Sequence, residues 1–152
     1  MLGKLAKWLR ILGFDTAYFN KIDDKELLEL AGKENRILLT RDTGIIDRAG
    51  RSPVVFIKSS KWDEQVRQVL NEFGLREKTS PHTRCLDCNR SLKHLAKDRA
   101  ENLVTPFIFS RADSFSLCPD CGRVYWRGTH FKDMEKKLNL ILDITGDHKR
   151  RG

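Results

Sequence analysis

Two Cys-x-x-Cys pairs, Cys85-Leu-Asp-Cys88 and Cys118-Pro-Asp-Cys121, contain all four cysteines of the chain and constrain its fold more than any other feature. Each pair lets two thiolates reach one ion, and four thiolates close a tetrahedral shell, which suits a structural zinc rather than a catalytic one. The 29 residues between the pairs leave room for several short strands, so the spacing predicts a zinc ribbon over 84–128. Asn89 and Gly122 follow the two pairs, and these residue types most easily take positive φ where a chain curls beneath a metal. An iron–sulfur site or a redox pair is the competing reading, and the paired arrangement favours zinc. A module this small has too little apolar core to fold alone, so its folding is expected to depend on the metal.

Upstream of the ribbon the pattern alternates between helix and strand. Leu2, Leu5, Leu9 and Leu12 recur at helical spacing, with Lys4, Lys7 and Arg10 on other faces and Gly13 as a stop. Thr16 to Phe19 has strand character. Asp23, Asp24 and Glu26 open a second helix with Leu27, Leu28 and Ala31 on its apolar side, and Asp23 with Glu26 is spaced as a capping box. Arg36–Thr40 reads as a buried parallel strand, Ile45 and Ile46 as a brief helix, and Val54–Ile57 as another strand opened by Pro53. Ser59 or Ser60 is expected to cap a helix carrying Trp62, Val66, Val69, Leu70 and Phe73.

This alternation predicts a three-layer α/β domain with a mostly parallel sheet over 1–78. Such domains usually open on a strand, whereas this sequence opens on a helix, so a central strand is expected to be missing from the reading frame. A polar connector over 76–83, a C-terminal helix over 129–145 and a basic tail over 146–152 complete the chain.

Hydrophobic residues at 39% and charged residues at 33% indicate a globular chain and not a disordered one. No apolar run approaches the roughly 18–20 residues that span a bilayer, and no signal-type stretch opens the sequence, so no membrane partner and a cytoplasmic location are expected. The net charge of +8 favours polyanionic partners, but the excess is spread along the chain, and a merely soluble basic surface explains it equally well. Arg123, Tyr125, Trp126 and Arg127, directly after the second cysteine pair, are candidates to stack on bases and pair with phosphates. The alternative is that the two aromatics cover the ribbon. His130 is assigned no role.

Asp42 follows a predicted buried strand, where open α/β sheets bind ligands, and is the leading catalytic candidate. Its alternative is an N-cap for the segment after it. Asp23 and Asp24 supply further carboxylates, with capping the better role for Asp23. Together with Asp42 they would offer hard oxygen ligands to Mg²⁺ or Mn²⁺.

The segments MLGKLAKWLRILGFDT, RILLTRD, RCLDCN and CPDCGRVYWRGTH resemble the mutator-seven C-terminal RNase family, in order and over nearly the whole chain. The resemblance implies a PIN-like nuclease domain followed by a zinc ribbon, with metal-dependent RNA cleavage through clustered acids. By motif position Asp42 matches the acid of the LLTRD segment, and Asp24 matches the acid before the second helix. It also implies a strand ending in aspartate just before the segment that starts here, so a shortened reading frame and impaired catalysis are expected. A non-catalytic RNA-binding protein is the alternative of a different class, and a zinc-braced protein-interaction module is a third. Oligomeric state is not legible.

Overall fold

The computed structural model describes residues 2–151, with side chains described for residues 2–142. Helix α1 (Gly3–Ile11) gathers Leu5, Trp8, Leu9 and Ile11 on a buried stripe. Gly13 follows at φ 95°, and a Cβ there would collide with the carbonyl of Ser80. The connector folds back over this end of α1. The N–H groups of Ser80 and His82 donate to the carbonyls of Leu12 and Ile11 at 2.8 and 2.9 Å, satisfying acceptors that a helix end leaves open.

Helix α2 (Asp24–Lys33) starts on the expected cap, with the Glu26 N–H donating to Asp23 Oδ1 at 2.8 Å. Strand β1 (Leu38–Thr40), helix α3 (Thr43–Arg48), strand β2 (Val54–Phe56) and helix α4 (Trp62–Glu72) follow. β1 and β2 pair in parallel, with Leu38 opposite Val54 and Thr40 opposite Phe56. Side chains alternate across a strand. Leu38 and Val54 therefore meet Ala31 of α2 and Ile45 of α3, while Leu39 and Val55 meet the larger core built on α1 and α4. In that core Trp8 stacks on Trp62 with ring centroids 4.5 Å apart.

The ribbon follows a 3₁₀ turn at Arg76–Lys78 and contains β3 (Lys93–Leu95), α5 (Lys97–Ala100), α6 (Pro106–Arg111), β4 (Phe115–Leu117) and β5 (Val124–Trp126). Its strands form an antiparallel sheet in the order β3-β4-β5, and Leu95, Ala100, Ala112 and Phe115 form a small core of their own. Helix α7 (Thr129–Arg151) then returns to the first core, where Leu138 and Ile141 bury against α1 and α4. The basic tail expected over 146–152 lies outside the residues whose side chains are described.

The structure is thus a mixed α/β fold with a two-stranded parallel sheet and a separate antiparallel one. Two expectations change. Thr16–Phe19 is not a strand: a groove of about 570 Å³ lined by Phe14–Phe19 on one side and Arg36–Leu39 on the other separates it from β1, so it has no ladder to join. Helix α4 has Lys61 as its N-cap position, and Ser59 acts from two residues earlier, accepting from the Lys61 N–H at 3.0 Å and donating to Glu64. Among the described residues no helix is long and apolar enough to cross a membrane.

Candidate functional site

The two cysteine turns have the same backbone construction. In the first, the Cys85 N–H donates to Arg90 O at 2.8 Å and the Asn89 N–H to Cys85 O at 2.9 Å; in the second, the Cys118 N–H donates to Arg123 O at 2.9 Å and the Gly122 N–H to Cys118 O at 2.9 Å. Asn89 and Gly122 sit at φ 65° and 75°, as their residue types suggested. This curl carries the four sulfurs to within 4.8 Å of one another, with Cys85 and Cys121 Sγ 3.7 Å apart. A tetrahedral zinc with bonds of about 2.3 Å has sulfur–sulfur edges of about 3.8 Å, so the donor set fits that ion. Sulfurs this close resist joint ionisation. The Cys121 sulfur beside Cys88, with burial adding to it, pushes that thiol up to about 12. Burial also pushes Cys85 up, but hydrogen bonds from the Tyr125 hydroxyl and the backbone hold it lowered to about 7. A cation is what allows all four to be thiolates together.

Two reciprocal ion pairs cross between the turns. Arg90 of the first donates to Asp120 of the second at 2.6 Å, and Arg123 of the second pairs with Asp87 of the first. The signal was present in the sequence, since CLDCNR and CPDCGR repeat one pattern in which each arginine serves the other copy's aspartate. Both pairs are largely exposed, so solvent screening leaves them little net effect on stability. Their placement would set two cations beside a zinc–tetrathiolate centre, whose own charge would be about −2.

The first turn is also bolted to α1. Arg10, which the helical pattern set among polar faces, is only 9% exposed; its Nη1 donates to Leu86 O at 2.6 Å and its Nε to Thr16 O at 2.9 Å. Arg84 donates to Gly13 O at 3.0 Å and to Asn89 O at 2.8 Å. The Asn89 amide accepts from the Thr16 N–H at 2.9 Å and donates to Asp15 at 2.7 Å. That is why the first turn uses asparagine where the second uses glycine: both tolerate positive φ, but only asparagine has a side chain to dock.

The candidate carboxylates gather at the N-terminus of α3. Asp42 lies two residues past β1 and caps α3, with its Oδ1 accepting from the Gly44 N–H at 2.8 Å. Asp24, in the first turn of α2, is paired with Arg48, whose Nε donates to Gly44 O at 3.2 Å. A Cβ built on Gly44 would stand 3.2 Å from Asp42 Oδ1 and 3.9 Å from Arg48 Nη2, which places Asp42 and the Asp24–Arg48 pair in one neighbourhood. Among the described residues, only the cysteines form a group of three or more side chains able to share a metal ion.

Strand alternation separates the two aromatics after the second turn. Tyr125 points to the metal turn, its hydroxyl 3.1 Å from Cys85 Sγ and accepting from the Leu86 N–H at 3.0 Å. Trp126, opposite Phe115, packs half-buried on the ribbon core. Arg123 is committed to Asp87, whereas Arg127 lies over the ring of Phe131 at 5.1 Å. His130 is exposed and lines the same groove as Trp126 and Arg127.

A mixed α/β fold whose two Cys-x-x-Cys turns bring four thiols within 4.8 Å of one another defines a protein with a four-cysteine cluster able to hold a metal ion. The family model described as the Mut7-C RNAse domain matches residues 1–138, and the chain belongs to that family. No curated protein and no solved structure matches it.

Proposed function

We propose that this chain is a PIN-like, metal-dependent ribonuclease that hydrolyses phosphodiester bonds in the cytoplasm, braced by structural zinc. The family match across 1–138 carries the reading. Supporting it, Asp42 stands at the carboxyl end of a parallel strand, where α/β folds place their chemistry, with Asp24 close by. Of the four residues after the second turn, Trp126 and Arg127 are assigned to the RNA-facing side, and Arg123 and Tyr125, held by Asp87 and by Cys85 and Leu86, to bracing the turn behind them.

Mg²⁺ or Mn²⁺ takes about six oxygen ligands. Here one Asp42 oxygen caps a helix, Asp24 is held by Arg48, and no third carboxylate joins them among the described residues. The set does not complete such a site. That same observation favours the second reading, a zinc-ribbon protein that binds RNA without cutting it. The zinc-loaded chain is expected to cleave an RNA oligomer slowly in Mn²⁺, with Asp42→Asn removing the residual rate and sparing RNA binding. Cleavage unchanged in Asp42→Asn and in Asp24→Asn would reject this assignment of the carboxylates, and binding with no cleavage at any Mn²⁺ concentration would select the second reading.

A further inference from the structure

A groove of about 1050 Å³ runs between the ribbon and the start of α7. Helix α6 contributes Phe107 and Arg111, β5 and the turn after it contribute Trp126 and Arg127, and the first turns of α7 contribute Phe131 and Lys132. Two features set its chemistry. Phe107 is 65% exposed, and neither ribbon nor helix covers it. Its ring lies under the Arg111 guanidinium at 4.7 Å, and the Arg127–Phe131 pair repeats that arrangement at 5.1 Å. The charge of the lining is one-sided: among the described residues Glu135 is its only carboxylate against five arginines and lysines. Two of those are engaged elsewhere, Arg84 with the carbonyls of Gly13 and Asn89 and Arg123 with Asp87, which leaves Arg111, Arg127 and Lys132 facing the groove.

Exposed aromatic faces flanked by guanidinium groups are what unpaired bases and their phosphates recognise, because every base has a stacking face and every linkage a negative charge. A duplex hides those faces inside its stack. We propose that this groove binds single-stranded RNA, with Phe107 as the principal stacking platform, Trp126 and Phe131 as further apolar walls, and Arg111, Arg127 and Lys132 on the phosphates. The proposal rests on the ribonuclease reading for its choice of RNA, and it places strand recognition on the ribbon, away from Asp42.

The test is fluorescence anisotropy with the full, zinc-loaded chain and no added Mg²⁺ or Mn²⁺. The probes are an unstructured RNA of about twelve nucleotides, a blunt duplex of the same sequence and a polyglutamate peptide of equal charge. Phe107→Ala is expected to weaken binding of the single strand roughly tenfold, and Phe107→Trp to restore it. Arg111→Gln is expected to lower the slope of log affinity against log salt by about 0.7. Duplex and polyglutamate should bind more weakly and ignore the Phe107 change. Equal binding of the three probes, or single-strand affinity unmoved by Phe107→Ala, overturns the proposal. If single-strand affinity is unmoved by Phe107→Ala while RNA is still cleaved, only the groove assignment fails. If binding follows the prediction and no RNA is cut, the groove stands and the ribonuclease reading fails.

Discussion

Asn89 does two separable things, and substitutions at this one position distinguish them. Its backbone takes φ 65°, and its side chain joins the cysteine turn to the loop after α1 through Thr16 N–H at 2.9 Å and Asp15 at 2.7 Å. Asn89→Gly keeps the backbone and loses both hydrogen bonds, for an expected loss of about 1–3 kcal/mol. The lower part of that range is the better expectation for the Asp15 bond, because that carboxylate is 52% exposed and solvent replaces much of the interaction. Asn89→Ala loses the same bonds and also forces a Cβ into the left-handed region, so its total cost is about 2–5 kcal/mol. Gly122→Asn is the control. Gly122 has φ 75° with nothing within 4 Å of a built Cβ, so that change is expected to cost no more than about 0.5 kcal/mol. Urea unfolding of the zinc-saturated proteins reads all three. An Asn89→Gly variant as stable as the wild type would show that the docking bonds carry no stability, and equal costs for Asn89→Gly and Asn89→Ala would refute the backbone part.

Elemental analysis is expected to give about one zinc per chain, and Cys88→Ser or Cys118→Ser to lose it and unfold residues 84–128; no zinc, or iron in its place, contradicts the site. His82 packs against Phe131 with ring centroids 4.0 Å apart and planes tilted by 37°, and burial lowers its pKa from 6.5, with Glu135 opposing the shift and Arg127 adding to it. The unfolded chain therefore binds the proton more readily, so this residue's contribution is complete above about pH 6.5 and is lost as pH falls through the depressed folded value. Thermal melts between pH 7.5 and pH 5, to about half a unit, should fall less steeply for His82→Phe than for the wild type; parallel slopes contradict the assignment. Gly13→Ala meets both a positive φ and the Ser80 carbonyl, and is expected to cost at least about 2 kcal/mol by chemical denaturation, a smaller loss showing that the connector shifts freely.

What was legible in the sequence was local. Cysteine spacing, the Asp23 cap, the positive φ at Asn89 and Gly122, and the parallel pair of Leu38–Thr40 with Val54–Phe56 each follow from rules that act over a few residues or one face of an element. The failures needed partners far along the chain. Thr16–Phe19 has the composition of a strand, but a strand is defined by its neighbour, and a groove stands between it and β1. Arg10 read as a polar-face residue because helical periodicity registers charge and not the carbonyl groups of Leu86 and Asp87, which lie more than seventy residues away. Both readings of Asp42 were available from its position, and the hydrogen bond to Gly44 shows the capping one without excluding the other. The exchange of Arg90 and Arg123 between the two turns was missed for a different reason: the repeat was present, but its meaning depends on the turns facing each other.

The division suggested by motif boundaries also understates how the parts depend on one another. Tyr125 of β5 holds Cys85 and Leu86, four residues later the chain enters α7, and α7 places Leu138 and Ile141 in the core of α1 and α4. From that same core Arg10 reaches back to the carbonyls of the first cysteine turn. A buried guanidinium that loses its acceptors keeps its desolvation cost, about 1–3 kcal/mol for each hydrogen bond left unmade. The geometry of the metal turn is therefore one of the conditions for burying Arg10, and through α7 the ribbon's strands set where the last side chains of the first core lie. A metal held by the four cysteines is therefore expected to stabilise more than the residues of the ribbon, because Arg10 and α7 tie the ribbon to the α/β core.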